Sequence, residues 1–382
     1  MAQTANNHAK GDAAAHSSIA DFGQVVLVLQ GGGALGAYQF GVYEALHDAG
    51  IEPAWVIGTS IGAINGAIIG GNPPEKRLAQ LTRFWDLMQS NRHGDVGSVW
   101  PTIANIFANT NTYVKGIDGF FTPNPRAAWG MHTPLGAEQA SFYLTGSLRE
   151  TLMELTDFDY VNAKHGRLTL GAVNVRSGEM HYFDNHKEPL SIAHVMASGA
   201  LPPAFPAVRI DGESYWDGGL YSNTPIEAVL DDKPRRQSVI FTANVWQQAG
   251  PEPDTIWQVF GRQKDIQFAS RAKSHIKHQQ QIHKMRHVIQ NLAQHIPAAK
   301  RDEPEVRKLL EHGCETVMHV VPLLAPRIDG EDHTKDIDFT VAGIKARRTA
   351  GYADTRRALR AAPWRHEVDK THGLVIHDIH HV

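Results

Sequence analysis

Trp55-Val56-Ile57-Gly58-Thr59-Ser60-Ile61-Gly62-Ala63 decides the fold of this chain. A short apolar run leads into Gly-x-Ser-x-Gly, and a small-residue segment, Ala-Ile-Asn-Gly-Ala-Ile-Ile-Gly at 63–70, follows. That order predicts strand, sharp turn, helix, the layout of a nucleophile elbow that lifts a serine hydroxyl above the edge of a sheet. Gly58 and Gly62 leave the turn free of Cβ atoms, and the helix aims its N-terminal amides at whatever the serine meets.

Upstream, Gln24 to Gln30 is β-branched and apolar, as expected of a buried parallel strand. It runs into Gly31-Gly32-Gly33-Ala34-Leu35-Gly36 and a helix through Leu46, closed by Gly50. Two glycine-rich turns thus sit at the carboxyl ends of two successive strands, the edge where open α/β sheets bind ligands. Downstream, strands are predicted at 167–175, 180–183, 238–245 and 316–323. Helices are predicted at 75–89, 136–155, 192–200, 254–296, 305–310 and 339–359. On the long 254–296 helix, Ile282, Met285, Ile289 and Leu292 form one apolar stripe. An irregular aromatic stretch with Trp100, Ile106, Phe107, Tyr113, Phe120, Phe121 and Trp129 reads either as ordinary core or as a lipid-facing lid.

Composition narrows the class. At 382 residues, 42% apolar and 20% charged, the chain is an ordinary globular sequence, and its net charge of −3 argues against nucleic acid as a partner. A single cysteine, Cys314, excludes an intramolecular disulfide and fits a cytoplasmic setting. No run approaches the roughly 18 apolar residues of a membrane span, so contact with a membrane or lipid-like granule is expected to be peripheral. Arg271, Lys273, Lys277, Lys284 and Arg286, with His275, His278, His283 and His287, read as a solvated helix face or as a basic docking face. No Cys or Asp/Glu spacing supports a metal, so neither metal nor organic cofactor is expected.

A serine nucleophile needs a base and oxyanion donors. Gly31, Gly32 and Gly33 are the expected donors, since backbone N–H groups without side chains can converge on one oxygen. Three kinds of base are available: Asp217 in Trp-Asp-Gly-Gly, Asp184 after a strand, or a histidine such as His194. Asp217, followed by Gly218 and Gly219 that permit close backbone approach, is favoured.

Gly31–Gly36, Gly58-Thr59-Ser60-Ile61-Gly62, Ala197-Ser198-Gly199-Ala200-Leu201-Pro202 and Asp217-Gly218-Gly219 resemble, in order, the four blocks of the patatin-like phospholipases. The resemblance implies a three-layer α/β/α fold with a mostly parallel central sheet, and an acyl hydrolase working through a Ser60–Asp217 dyad without a catalytic histidine. It implies an oxyanion hole at Gly31, Gly32 and Gly33, supported by Gly36, and an acyl pocket walled by 198–205. Residues 1–22 are expected to be a disordered leader, 23–246 the catalytic domain with an insertion at about 71–160, 247–363 a mainly helical extension, and 364–382 a flexible tail. Leu35 departs from the family's pattern, since many members carry Arg or Lys there. A neutral ester or a hydroxyalkanoate oligomer therefore stands beside a phospholipid as expected substrate.

Other readings fit less well. Gly31-x-Gly33-x-x-Gly36 matches a dinucleotide-binding fingerprint, but the second strand ends in Gly58-Thr59-Ser60, with no acidic residue to hold a ribose. A Ser-Asp-His triad of the α/β-hydrolase type would place its serine after several strands, and Ser60 follows one strand and one helix. A non-catalytic reading has no support in the residues, because Ser60, Asp217 and the glycine turn are all intact.

Overall fold

The computed structural model describes residues 19–89, 120–129, 132–369 and 371–378. Its centre is a nine-stranded sheet built from β1 (Gln24–Leu29), β2 (Trp55–Thr59), β5 (Arg167–Asn174), β6 (Met180–Asp184), β7 (Val208–Ile210), β8 (Glu213–Asp217), β9 (Ser238–Asn244), β10 (Met318–Leu324) and β11 (Leu374–Ile376). A separate pair, β3 (Thr122–Pro123) and β4 (Tyr143–Leu144), forms a two-stranded antiparallel ribbon. The helices are α1 (Ala37–Asp48), α2 (Ile61–Gly70), α3 (Pro74–Met88), α4 (Gly146–Leu155), α5 (Phe158–Asn162), α6 (Ile192–Ser198), α7 (Glu227–Leu230), α8 (Ile256–His295), α9 (Ala298–Arg301), α10 (Pro304–Leu310) and α11 (Val341–Ala361).

The strand order is β11-β10-β9-β1-β2-β5-β8-β7, with β6 on the other edge of β5. From β11 to β5 every pairing is parallel; β6, β7 and β8 enter antiparallel. β1 is central and covered on both faces, which explains its unbroken apolar run. Val25, Leu27 and Leu29 pack with α1, α2, α3 and α11, while Val26 and Val28 pack with Ile226, Val229 and Leu230 around α7 and with Ile276 of α8. The result is the expected three-layer α/β/α arrangement with a mostly parallel sheet.

Three expectations need correction. The 364–382 segment is no loose tail as far as Asp378: Trp364 is 1% exposed, and Leu374–Ile376 pairs in parallel with β10. The extension at 247–363 is mainly helical, as expected, and it is built into the catalytic layers: β10 joins the sheet beside β9, and α11 docks on α1 through Arg348–Glu44 and Tyr38–Asp354. The helix predicted at 136–155 begins only at Gly146, because Tyr143–Leu144 pairs as a strand with Thr122–Pro123, and Phe142 and Tyr143 donate backbone bonds to Pro203 and Ala204. On α8 the buried side is polar: Gln279, His283 and His287 face inward, whereas Met285 is 68% exposed. Gln279 donates to Asp231 (2.6 Å) and the His287 ring lies 3.0 Å from the Thr316 carbonyl, so hydrogen bonds rather than the apolar stripe dock this helix. His283 and His287 therefore cannot belong to a solvated basic face. Arg271 and Lys273, like Trp100, Ile106, Phe107, Tyr113 and Trp129, have side chains outside the described residues.

Candidate active site

The register of β5 brings the serine and the aspartate together. β2 and β8 lie end to end along one edge of β5, with Thr59 opposite Gly171 and Asp217 opposite Ala172. Ser60 therefore leaves the end of β2 where Asp217 ends β8. At the turn Ser60 takes φ 57° and ψ −126°, a region strained for any residue with a Cβ and held only by its surroundings. Those surroundings are specific. The Ser60 amide donates to both the carbonyl and the hydroxyl of Ser198 (3.1 Å each), and the Ser198 hydroxyl donates to Gly171 O at 2.6 Å. Asp217 N donates to Ala200 O at 3.0 Å. The 198–205 block, expected to wall the pocket, thus also splints the serine to the aspartate, a role for Ser198 that the sequence pattern did not signal.

The supporting glycines serve close approach. A Cβ on Gly58 would lie 2.2 Å from Gly62 O, and one on Gly62 2.2 Å from Leu29 O, so the elbow admits only hydrogen at both. Gly36 packs on Ile61, Gly218 on Gly171 O, and Gly219 N donates to Asp217 Oδ1 at 2.7 Å.

Of the three glycines expected to supply oxyanion donors, Gly31 is excluded. Its amide already donates to Asn223 O at 3.0 Å. Among the described residues, the amides of Gly32 and Gly33 carry no hydrogen bond, and neither does that of Ile61 at the start of α2. An N–H after the nucleophile converging with N–H groups from another strand-end turn is the arrangement that holds an oxyanion.

Asp217 is 1% exposed, and its second oxygen, Oδ2, makes no fully formed hydrogen bond. Burial pushes its carboxyl up from 3.8 to about 7, against the opposing pull of the Ser60 hydroxyl and the Gly219 amide. The other base candidates are occupied elsewhere. Asp184 binds Arg167 and Thr169 on the far edge of β5. His194 caps its own helix, accepting from Ser191 N at 2.8 Å, and burial lowers its pKa. Among the described residues, no group of three or more His, Cys, Asp or Glu is placed to hold a metal ion, and no helix is long and apolar enough to cross a membrane.

Above Ser60 opens a cleft of about 480 Å³. One wall is aromatic: Phe120, Phe121, Tyr143, Phe205 and Phe339 meet edge to face, with Phe121 and Tyr143 centroids 4.9 Å apart. Phe120 and Phe121 are thus buried pocket wall. The C-terminal third contributes to the lining as well: Phe268 and Lys264 of α8, and Asp336, whose carboxylate holds Lys264 Nζ at 2.8 and 2.9 Å. Leu35 is buried and does not line this cleft.

An elbow serine and a buried aspartate on adjoining strand ends, under an apolar cleft, define a nucleophile-elbow protein of the three-layer α/β/α class. The profile described as patatin-like phospholipase matches residues 27–230, and a second, described as patatin phospholipase, matches residues 266–371. The chain belongs to the patatin-like phospholipase family. Curated relatives include Lysophospholipase nte1 of Aspergillus terreus, 38% identical over 92 residues, which are 24% of this chain and 6% of that protein. Patatin-like phospholipase domain-containing protein 6 of Homo sapiens is 43% identical over 61 residues, 16% of this chain and 4% of that one. Lysophospholipase NTE1 of Eremothecium gossypii is 24% identical over 231 residues, 58% of this chain and 12% of its own. The matches thus take in at most 12% of the length of these relatives. The crystal structure of VipD from Legionella pneumophila aligns over 88% of this chain and 67% of its own, at 16% identity and a TM-score of 0.37, too distant to bear on the site.

Proposed function

We propose that this protein is a serine acyl hydrolase that cleaves carboxylic esters of lipids, with Ser60 as nucleophile and Asp217 as base. The observation that carries the reading is a buried carboxyl, raised to about 7, at the shared strand end beside an elbow serine and below an apolar cleft. Asp217 takes the Ser60 hydroxyl proton as the oxygen attacks the ester carbonyl, and the amides of Gly32, Gly33 and Ile61 hold the oxyanion. The proton passes to the leaving alcohol, giving an acyl-enzyme. Water deprotonated by Asp217 then releases the acid and restores Ser60. The aromatic wall suits an aliphatic acyl chain. Because Lys264 is neutralised by Asp336, the cleft suits a neutral ester or hydroxyalkanoate oligomer as well as a phospholipid. Purified protein is expected to hydrolyse p-nitrophenyl butyrate and to take a fluorophosphonate label on Ser60; absence of both would end the proposal.

We further propose a cytoplasmic enzyme that meets lipid at a surface; the single cysteine supports the compartment. Ile256, Trp257, Val259 and Phe260, on the first two turns of α8, are all exposed, Trp257 by 63%. Trp257 and Phe260 lie on the helix face that continues, three to four residues at a time, to Lys264 and Phe268 in the cleft. A lipid surface touching these turns would meet the entrance to the site. In vesicle co-sedimentation the double variant W257S/F260S is expected to lose most binding to zwitterionic vesicles. Binding that survives it and requires anionic lipid would move the contact to the exposed Lys277 and Lys284.

A further inference from the structure

We infer that Asn223 and Trp246 are positioning residues that aim the oxyanion-binding amide of Gly32, and that α8 is the anchor against which they do so. The inference rests on the reading of Gly32 as an oxyanion donor. The carbonyl of Gly31 and the N–H of Gly32 belong to one planar trans peptide and point in opposite directions, so whatever fixes the oxygen also aims the N–H. Two side chains fix that oxygen: Asn223 Nδ2 donates to Gly31 O at 3.1 Å, and Trp246 Nε1 donates to it at 2.8 Å. The preceding peptide is held as well, by the Gly31 N–H bond to Asn223 O. One residue therefore grips both sides of Gly31, and donors on the oxygen also polarise the peptide and sharpen its N–H.

The grip lies beside the reaction centre. A Cβ built on Gly31 would sit 2.3 Å from Asn223 Oδ1 and 3.0 Å from Ser60 Cβ, and one on Gly219 would sit 2.9 Å from Asn223 Oδ1. Asn223 thus fills the space between the glycine turn, the nucleophile and the turn after Asp217. It is itself tied down from outside the catalytic strands. Asn223 Nδ2 also donates to Phe268 O of α8 at 3.2 Å, and Gln30 Nε2 donates to the same carbonyl at 3.2 Å. Gln30 in turn accepts Val245 N and Trp246 N through Oε1, at 2.6 and 3.0 Å. A helix carbonyl 45 residues beyond Asn223 is therefore the common fixed point for the residues around the oxyanion turn. This gives the C-terminal third a catalytic consequence, since without α8 the amide of Gly32 loses its reference.

The test is kinetic. Asn223→Leu and Trp246→Phe each remove one donor to Gly31 O. With p-nitrophenyl butyrate, each is expected to lower kcat by about 10- to 100-fold while KM stays within about threefold, because misaimed donors cost the transition state and not ground-state binding. The midpoint of the pH profile should stay where the wild type has it, since Asp217 is untouched. The double variant should lose less than the product of the single losses, because both donors act on one peptide. A kcat within about threefold of wild type in folded single variants, a loss carried by KM alone, or strictly multiplicative losses would overturn the inference. If Asn223→Leu does not fold, Trp246→Phe is judged by the same kcat, KM and pH readings. Fluorophosphonate labelling of wild-type Ser60 separates the two readings: labelled and active wild type with unimpaired variants refutes only the positioning role, whereas unlabelled, inactive wild type refutes the hydrolase.

Discussion

Replacement of Ser60 by alanine is expected to lower ester turnover by about 10⁴-fold or more and to abolish fluorophosphonate labelling, because the neighbouring Thr59 hydroxyl is buried away from the cleft and the loss of a nucleophile removes the whole covalent route. The fold should survive. What holds the turn is the Ser60 amide on Ser198 and the glycine contacts of the elbow, and none of these involves the Ser60 hydroxyl. The melting temperature should therefore stay near that of the wild type. Residual activity within about tenfold of wild type would show that Ser60 is not the nucleophile.

Asp217→Asn is expected to separate activity from stability. As base, Asp217 must be ionised, so the wild-type rate should rise with pH along a single limb with its midpoint near 7, the value to which burial lifts the carboxyl. Asparagine cannot take the proton, so turnover should fall by about 10³-fold or more above pH 7, where the wild-type carboxylate is ionised, and the limb near pH 7 should disappear. The stability argument runs the other way. The unfolded chain releases this proton near 3.8, whereas the folded protein keeps it to about 7. Folding is thus unburdened below about pH 4, penalised progressively from 4 to 7, and fully penalised above 7. The neutral amide keeps the acceptor for Gly219 N and carries no buried charge. At pH 8 the variant should be more stable than wild type, on the order of 2–4 kcal/mol, and the gain should vanish near pH 4. Denaturant midpoints at the two pH values check this. An Asp217→Asn protein that keeps near-normal turnover would mean that another group is the base, and one no more stable at pH 8 would mean that Asp217 is not held near neutrality.

The elbow and the glycine turn were legible because each is a local requirement. A serine forced to positive φ between a strand and a helix needs Gly58 and Gly62 within a few residues, and an unbroken apolar strand such as Gln24–Leu29 can only be buried on both faces. Asp217 was legible for the same reason, through the glycines that follow it. Local pattern also misled where it reported a face without saying what covers it. The apolar stripe on α8 is periodic, yet the helix buries its Gln279–His283–His287 side, because hydrogen bonds to Asp231 and Thr316 from other elements decided the docking.

The chain by itself thus determined the strand-turn-helix order, the serine and the aspartate proposed here as a dyad, and the glycines that let backbone come close, since all of these are written in residues next to one another. Tertiary structure alone decided which amides of the glycine turn remain without a hydrogen bond, that Ser198 splints Ser60, and that the C-terminal third completes both the sheet and the cleft. Those outcomes depend on strand register and on hydrogen bonds between residues such as Gly31 and Asn223, 192 positions apart, and separations of that length leave no periodic trace in the sequence.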